Sequence, residues 1–124
     1  MRGPGFTFAV PGGWQTSRSQ RTLSSSDGKA QVSVTTYTLL KPYRPAIFGA
    51  AARELDRVAA RLAAEAGAKI TERETLDVAG RKSRAYRFGT MRIGFVLVGR
   101  REFQLLCRDP GDACTLLFES FTVF

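Results

Sequence analysis

The spacing of apolar side chains predicts one long helix in the middle of the chain. Apolar residues recur at helical spacing over residues 46–66. Pro45 suits a first helical turn, and Gly67 stands where a left-handed residue commonly ends a helix. The recurring residues are Ile47, Ala51, Leu55, Val58, Leu62 and Ala66. We expect this helix to pack on a sheet, with four side chains facing inward: Ile47, Leu55, Val58 and Leu62.

Alternating apolar and polar residues predict strands before that helix. The expected strands cover residues 6–10, 18–24 and 30–40. The Pro-Gly-Gly segment at 11–13 and the Asp-Gly pair at 27–28 separate them as turns. The strand at 18–24 is polar, so we expect it at an edge of the sheet.

The same pattern continues after the helix with four more strands and a short helix. The strands are expected at residues 69–78, 81–88, 93–98 and 102–107. Ala79-Gly80 and Gly99-Arg100 are short enough to be hairpin turns. Asp109 can cap a C-terminal helix and Pro110 fits its first position. The apolar side of that helix would include Leu116, Leu117 and Phe121, with Ser120 beside them. This order predicts an α+β fold: an antiparallel sheet with a long middle helix and a short C-terminal helix.

Length and composition indicate one globular domain over residues 1–124. Hydrophobic residues make up 44% of the chain and charged residues 24%, close to globular averages. No apolar run is long enough for a transmembrane span. Residues 1–5 do not show the charged region, apolar region and cleavage site of a leader, so we expect either a cytoplasmic protein or an exported domain whose leader or anchor was trimmed.

The formal net charge of +8 is unevenly distributed. Residues 1–44 hold six basic groups and one acidic group, and the segment 81–101 holds no acid at all. The basic residues of that segment are Arg81, Lys82, Arg84, Arg87, Arg92, Arg100 and Arg101. Such a patch can attract nucleic acid or an acidic surface, or it can simply solubilise the sheet and protect its edges.

The residue inventory argues against an enzyme. The absence of histidine removes serine–histidine and cysteine–histidine nucleophilic sites and every histidine-ligated metal site. No glycine-rich phosphate-binding loop occurs, so we expect no catalytic residue, cofactor or metal. Glu72 and Glu74 share one face of a strand, but arginines nearby favour a cross-strand ion-pair face over an acid–base pair.

Cys107 and Cys114 are the only cysteines. A strand end and a helix start joined by a Pro-Gly turn can bring their Cα atoms within disulfide range. The alternative is two buried thiols. We expect the disulfide, which would favour an exported, oxidising setting over the cytoplasm.

The order of elements resembles the Mog1/PsbP-like fold, which includes small bacterial lipoprotein and chaperone families. Four features carry the likeness: Phe6 to Trp14 with its Pro-x-Gly-Trp ending, the long middle helix, the hairpin ending at Phe103-x-Leu105-x-Cys107, and the closing Phe118-Glu119-Ser120-Phe121. Members of this fold act as non-catalytic adaptors. The resemblance therefore implies an α/β/α sandwich and a binding role, and it implies no ligand.

Two functions remain open from the sequence. The first is a module that binds a protein or an apolar segment, exported or lipid-anchored or chaperone-like, through a sheet surface or cleft. Its candidate contacts are Trp14, Tyr37, Tyr43 and Tyr86. The second is an electrostatic binder of polyanions that uses the basic segment 81–101. The direction of the aromatic side chains separates them, since aromatics interleaved with arginines on an open sheet favour stacking on bases.

Overall fold

The computed structural model describes residues 1–108 and 111–124. That part of the chain has the predicted α+β class. The strands are β1 Arg2–Gly3, β2 Phe6–Thr7, β3 Gln15–Arg18, β4 Thr22–Ser26, β5 Gln31–Tyr43, β6 Ile70–Val78, β7 Arg81–Phe88, β8 Met91–Arg108 and β9 Thr122–Val123. The helices are α1 Phe48–Glu65 and α2 Gly111–Ser120, and the 3-10 turn Pro45–Ile47 leads into α1.

The fold has three layers, and an antiparallel sheet is the middle one. Its six strands lie in the order β3-β4-β5-β8-β7-β6, and β1, β2 and β9 form a second, small sheet. Helix α1 packs on one side of the large sheet, hereafter the α1 face, where Leu55 joins Tyr86 and Phe95 in one apolar cluster. Helix α2 and the small sheet cover the other side, the α2 face, where Val34 and Leu117 belong to a second cluster. Each half of the core therefore has its own set of strand side chains.

The middle helix confirms the main element prediction and corrects one inward-facing residue. Leu55 is buried, and Val58 and Leu62 pack partly buried against the same cluster. Ile47 is 49% exposed, so its predicted inward orientation is wrong. It lies in the 3-10 turn, which has three residues per turn, so the helical phase does not extend back to it.

Strand β8 replaces two predicted strands and their hairpin turn. It runs without interruption over 18 residues, so the predicted turn at Gly99-Arg100 is wrong. Residues near its start pair with β7, and residues from Gly99 onward pair with β5. Gly99 has φ +58°, a conformation that glycine adopts without strain. Ile93 therefore faces α1 while Phe103 faces α2, although both carry odd numbers.

The N-terminal segment also differs from its prediction. The predicted strand 6–10 is shorter and belongs to the small sheet as β2, which pairs with β9. The predicted strand 18–24 spans a turn instead: β3 ends at Arg18, β4 begins at Thr22, and the Ser19 amide donates to the Thr22 carbonyl across 2.9 Å. The strand at this edge of the large sheet is β3, whose four residues are all exposed.

Cys107 and Cys114 form the predicted disulfide, with their Cα atoms 5.3 Å apart. It joins the end of β8 to the first half of α2, and both cysteines are buried. Asp109 and Pro110, which were expected to begin the last helix, lie outside the described residues. Along the described chain, no helix is both long enough and apolar enough to cross a membrane.

Candidate docking surface

The end of β5 forms a bulge that exposes a leucine. Thr38 pairs with Arg101 and Tyr43 pairs with Gly99, so residues 39–42 stand opposite Arg100 alone. Extra residues in one strand of a pair push that strand out of the ladder. Leu40 is 96% exposed, and the Arg100 Nη1 donates to its carbonyl oxygen at 3.3 Å. The bulge therefore holds an apolar side chain in solvent above an anchored backbone.

The bulge lies beside a groove of about 390 Å³. We call the surface around this groove the loop end. It consists of residues 39–48, residues 80–82 at the turn between β6 and β7, and residues 97–100 at the kink of β8. Aromatic walls come from Tyr43 and Phe48, and aliphatic walls come from Leu97 and Val98. Two exposed cations, Arg81 and Lys82, also line the groove. The groove is thus apolar in its walls and cationic at its border.

The loop end is strongly positive. Its exposed cations are Lys41, Arg44, Arg81, Lys82 and Arg100, and within residues 1–108 and 111–124 none of them forms an ion pair. Asp77 is the carboxylate opposite Lys82 in the β6–β7 ladder. The Lys82 ammonium lies 4.8 Å from the centre of the Phe48 ring, a favourable cation–π position. Burial raises the pKa of Tyr43, which keeps its phenol neutral.

The four predicted aromatic contacts occupy four different environments. Tyr86 is 1% exposed beneath α1, so its predicted role as a surface contact is wrong. Trp14 packs partly buried against the cluster on the α2 face. Tyr37 is 36% exposed and pairs with Glu102, away from the strands that α1 covers. Tyr43 alone lies in the groove of the loop end.

Tyr86 belongs to a polar seam between α1 and the sheet that the sequence did not reveal. Its hydroxyl donates to Asp56 of α1, and Arg84 Nη2 donates to the two Asp56 carboxylate oxygens at 2.9 and 3.1 Å. Burial and this hydrogen bond raise the pKa of Tyr86 to about 12. Burial alone would raise the pKa of Asp56, but the hydrogen bonds from Tyr86 and Arg84 and the nearby Arg73 lower it. Arg84 Nη1 also donates to the Thr75 hydroxyl at 3.0 Å, so the seam connects α1 with both β6 and β7.

The seven basic residues of segment 81–101 do not form one patch, contrary to prediction. Arg87 pairs with Glu72 (Nε to Oε2, 3.3 Å), and Arg92 pairs with Glu74 (Nη2 to Oε1, 2.7 Å). These pairs confirm the ion-pair face expected for the two glutamates. Arg84 is held in the seam, and Arg101 lies on the α2 face above the Phe103 ring. The loop end keeps Arg81, Lys82 and Arg100.

The side chains required for metal chemistry do not converge. In the chain before residue 109 and after residue 110, no three or more of His, Cys, Asp and Glu lie close enough together to hold an ion. Glu102 lies on the α1 face beyond the helix, where burial raises the pKa of its carboxyl while a hydrogen bond from Gln104 (3.2 Å) lowers it. Among the described residues, Glu102 hydrogen-bonds to Gln104 and to no second carboxylate that could act with it in acid–base chemistry.

Comparison with known proteins gives the fold alone. No protein-family model matches the chain, and no curated protein does. Among solved structures, the chain is similar to a protein from Bacteroides thetaiotaomicron VPI-5482 whose crystal structure was determined at 1.50 Å resolution, with a TM-score of 0.54 and 9% identity. The match covers 96% of this chain and 45% of that one, so the chain spans less than half of its neighbour. It is a likeness of architecture.

Proposed function

We propose that this domain is a non-catalytic interaction module that docks a protein segment at its loop end. The partner segment would carry apolar side chains next to acidic ones. The observation that carries the proposal is the groove walled by Tyr43, Phe48 and Leu97, bordered by Arg81 and Lys82, beside the bulge that exposes Leu40.

The energetics of the loop end favour such a partner. Burying an exposed leucine contributes about 1.5–3 kcal/mol, and Leu40 is available for this at 96% exposure, with Ile47 half-exposed nearby. Cations without ion-pair partners attract acidic groups and set the orientation of the complex more than its affinity. A segment with apolar and acidic side chains would therefore gain both apolar burial and charge attraction at the loop end.

The resemblance to the Mog1/PsbP-like fold supports an adaptor role by analogy. We also propose that the chain belongs to this fold family and that it is exported or lipid-anchored. The disulfide between Cys107 and Cys114 favours an oxidising compartment.

A polyanion is the second candidate partner. It is favoured by the same five cations of the loop end: Lys41, Arg44, Arg81, Lys82 and Arg100. Binding of that kind releases counterions, so the logarithm of the affinity falls linearly with the logarithm of the salt concentration. An apolar and acidic segment would keep part of its affinity in high salt because Leu40 and the groove do not depend on screening.

The test selects short random peptides displayed on phage against the folded domain. Selected peptides are expected to combine Leu, Phe or Met with Asp or Glu. Synthetic copies should bind Leu40→Ser and the pair Arg81→Ser/Lys82→Ser at least about tenfold more weakly, as expected for central contacts of an interface. The matched control is Arg53→Ser/Arg61→Ser, which removes the same charge from exposed positions of α1.

Three results would contradict the proposal. The selected peptides could lack this composition, their binding could ignore the loop-end variants, or the α1 control could weaken binding equally. Affinity for a random single-stranded DNA probe that follows the salt relation and exceeds that of every peptide would replace the protein segment with the polyanion. Melting curves of each variant confirm that the comparison is made between folded proteins.

A further inference from the structure

A separate cavity of about 290 Å³ opens on the α2 face. The turn between β3 and β4 lies beside β5 there, since the Thr36 amide donates to the Arg21 carbonyl at 2.9 Å. Arg18 and Arg21 come from the two ends of that turn, and Thr36 and Thr38 come from β5. No Asp or Glu is among the described residues that line it.

The two arginines are available to a ligand. Arg18 is oriented by one hydrogen bond, from its Nη2 to the Arg2 carbonyl oxygen at 3.0 Å, which leaves its other N–H groups unassigned. Arg21 is exposed. In the described chain neither of them takes part in an ion pair, unlike Arg84, Arg87 and Arg92.

A third cation adds to the positive potential of the cavity. Arg101 pairs with Thr38 across the β5–β8 ladder and therefore lies on the same face of the sheet. Its guanidinium lies 5.4 Å from the centre of the Phe103 ring and packs against Gly5 of the N-terminal hairpin. The neighbouring acid, Glu102, faces the opposite side with Gln104.

We infer that this cavity binds a small oxyanion ligand of the phosphate class. Guanidinium groups match the oxygens of phosphate and carboxylate in two parallel hydrogen bonds. Two such forks and the hydroxyls of Thr36 and Thr38 offer more donors than one carboxylate accepts, whereas a phosphate has enough oxygens for them. The volume fits a small molecule or a headgroup. The site is distinct from the groove of the loop end, and the inference does not rest on the proposed function.

Calorimetric titration with inorganic phosphate tests the site, with chloride at equal ionic strength as the reference. We expect saturable binding of one phosphate per chain and no saturable binding of chloride. Arg18→Gln/Arg21→Gln should weaken phosphate binding roughly tenfold or more. Arg53→Gln/Arg61→Gln, equal in charge removed, should change it by less than about twofold. Equal losses in the two pairs, or saturation by chloride, would overturn the inference.

A second variant that removes no charge keeps the test valid if Arg18→Gln/Arg21→Gln lowers the melting temperature. Thr38→Val leaves every cation in place and should still weaken phosphate binding, and unchanged phosphate affinity in a folded Thr38→Val protein would count against the site.

Vesicles containing phosphatidic acid distinguish the source of the phosphate. Vesicle binding that depends on Arg18 and Arg21 and is displaced by free phosphate identifies a lipid headgroup, and phosphate binding without vesicle binding identifies a soluble ligand. A single-stranded DNA probe that binds through these arginines more tightly than phosphate would overturn the small-ligand assignment.

Discussion

The carboxylate of Asp56 ties helix α1 to the sheet, because it accepts hydrogen bonds from both Arg84 and Tyr86. Asp56→Asn removes the charge that Arg84 faces. We expect the free energy of unfolding at neutral pH to fall by about 1–2 kcal/mol, below the value for a fully buried charged hydrogen bond because water screens the pair. Chemical denaturation at several pH values measures it.

The pH dependence of that difference has a definite sign. The pKa of Asp56 in the folded protein is lowered from its ordinary value of 3.8. The stabilisation is therefore complete above the ordinary pKa and is lost as the pH falls through the lowered one. The parent and Asp56→Asn should converge in strongly acidic solution. Glu54→Gln is the control, because Glu54 pairs with Arg57 at an exposed position. A difference that is constant with pH would contradict the role of the Asp56 charge.

Ala79 occupies a backbone conformation that other residue types adopt more readily than alanine. It has φ +56° and is followed by Gly80 at φ +72° in the turn between β6 and β7. Such two-residue turns prefer Asn-Gly, since alanine resists the left-handed region. Ala79→Asn should raise the free energy of unfolding by about 0.5–1 kcal/mol. Ala79→Val should lower it, because a branched side chain is still less tolerant there. Denaturant midpoints of the parent and the two variants measure these changes, and equal midpoints would contradict backbone strain at Ala79.

At the scale of elements, sequence periodicity predicted what is local and missed what depends on pairing. Spacing alone predicted a helix over residues 46–66, which the structure has as Phe48–Glu65 after a 3-10 turn, and the strand Arg81–Phe88. Gly99-Arg100 was predicted to be a hairpin turn, but the chain continues through Gly99 (φ +58°) as one strand. The reason is that the two halves of β8 pair with different neighbours, β7 and β5. Whether a glycine reverses a strand or only kinks it depends on partners distant in sequence.

The packing of α1 is testable with two apolar residues of opposite burial. Leu55 is buried against the cluster that includes Tyr86 and Phe95. Leu55→Ala should cost about 2–5 kcal/mol in the free energy of unfolding, from lost transfer energy and the cavity left behind. Ile47→Ala, at a half-exposed position, should cost at most about 1 kcal/mol. Equilibrium denaturation ranks them, and similar losses at the two positions would contradict the orientation of α1.

At the scale of the whole molecule, the loop end could be predicted only in part. Tyr43 was expected to be a contact, and Arg81, Lys82 and Arg100 were expected to be basic surface. Their convergence with Leu40 depends on the β5 bulge, and a bulge four residues long leaves no clear mark in a segment that looks like a strand followed by a proline-rich connector. The cavity at Arg18 and Arg21 was missed because the sequence placed one strand across the turn that forms it. Sites assembled from several elements require the tertiary structure.

The disulfide between Cys107 and Cys114 links the C-terminal helix to the central strand, and its effect on the whole molecule can be measured. Closing so short a loop should contribute about 2–3 kcal/mol to the free energy of unfolding. The variant Cys107→Ala/Cys114→Ala should lose that amount and become insensitive to reductant. It should remain folded, because α2 still buries Leu117 and Phe118. Thiol titration of the unfolded, unreduced parent should find no free sulfhydryl, and reduction should release two. Two free thiols before reduction would contradict the bond and weaken the proposed oxidising setting.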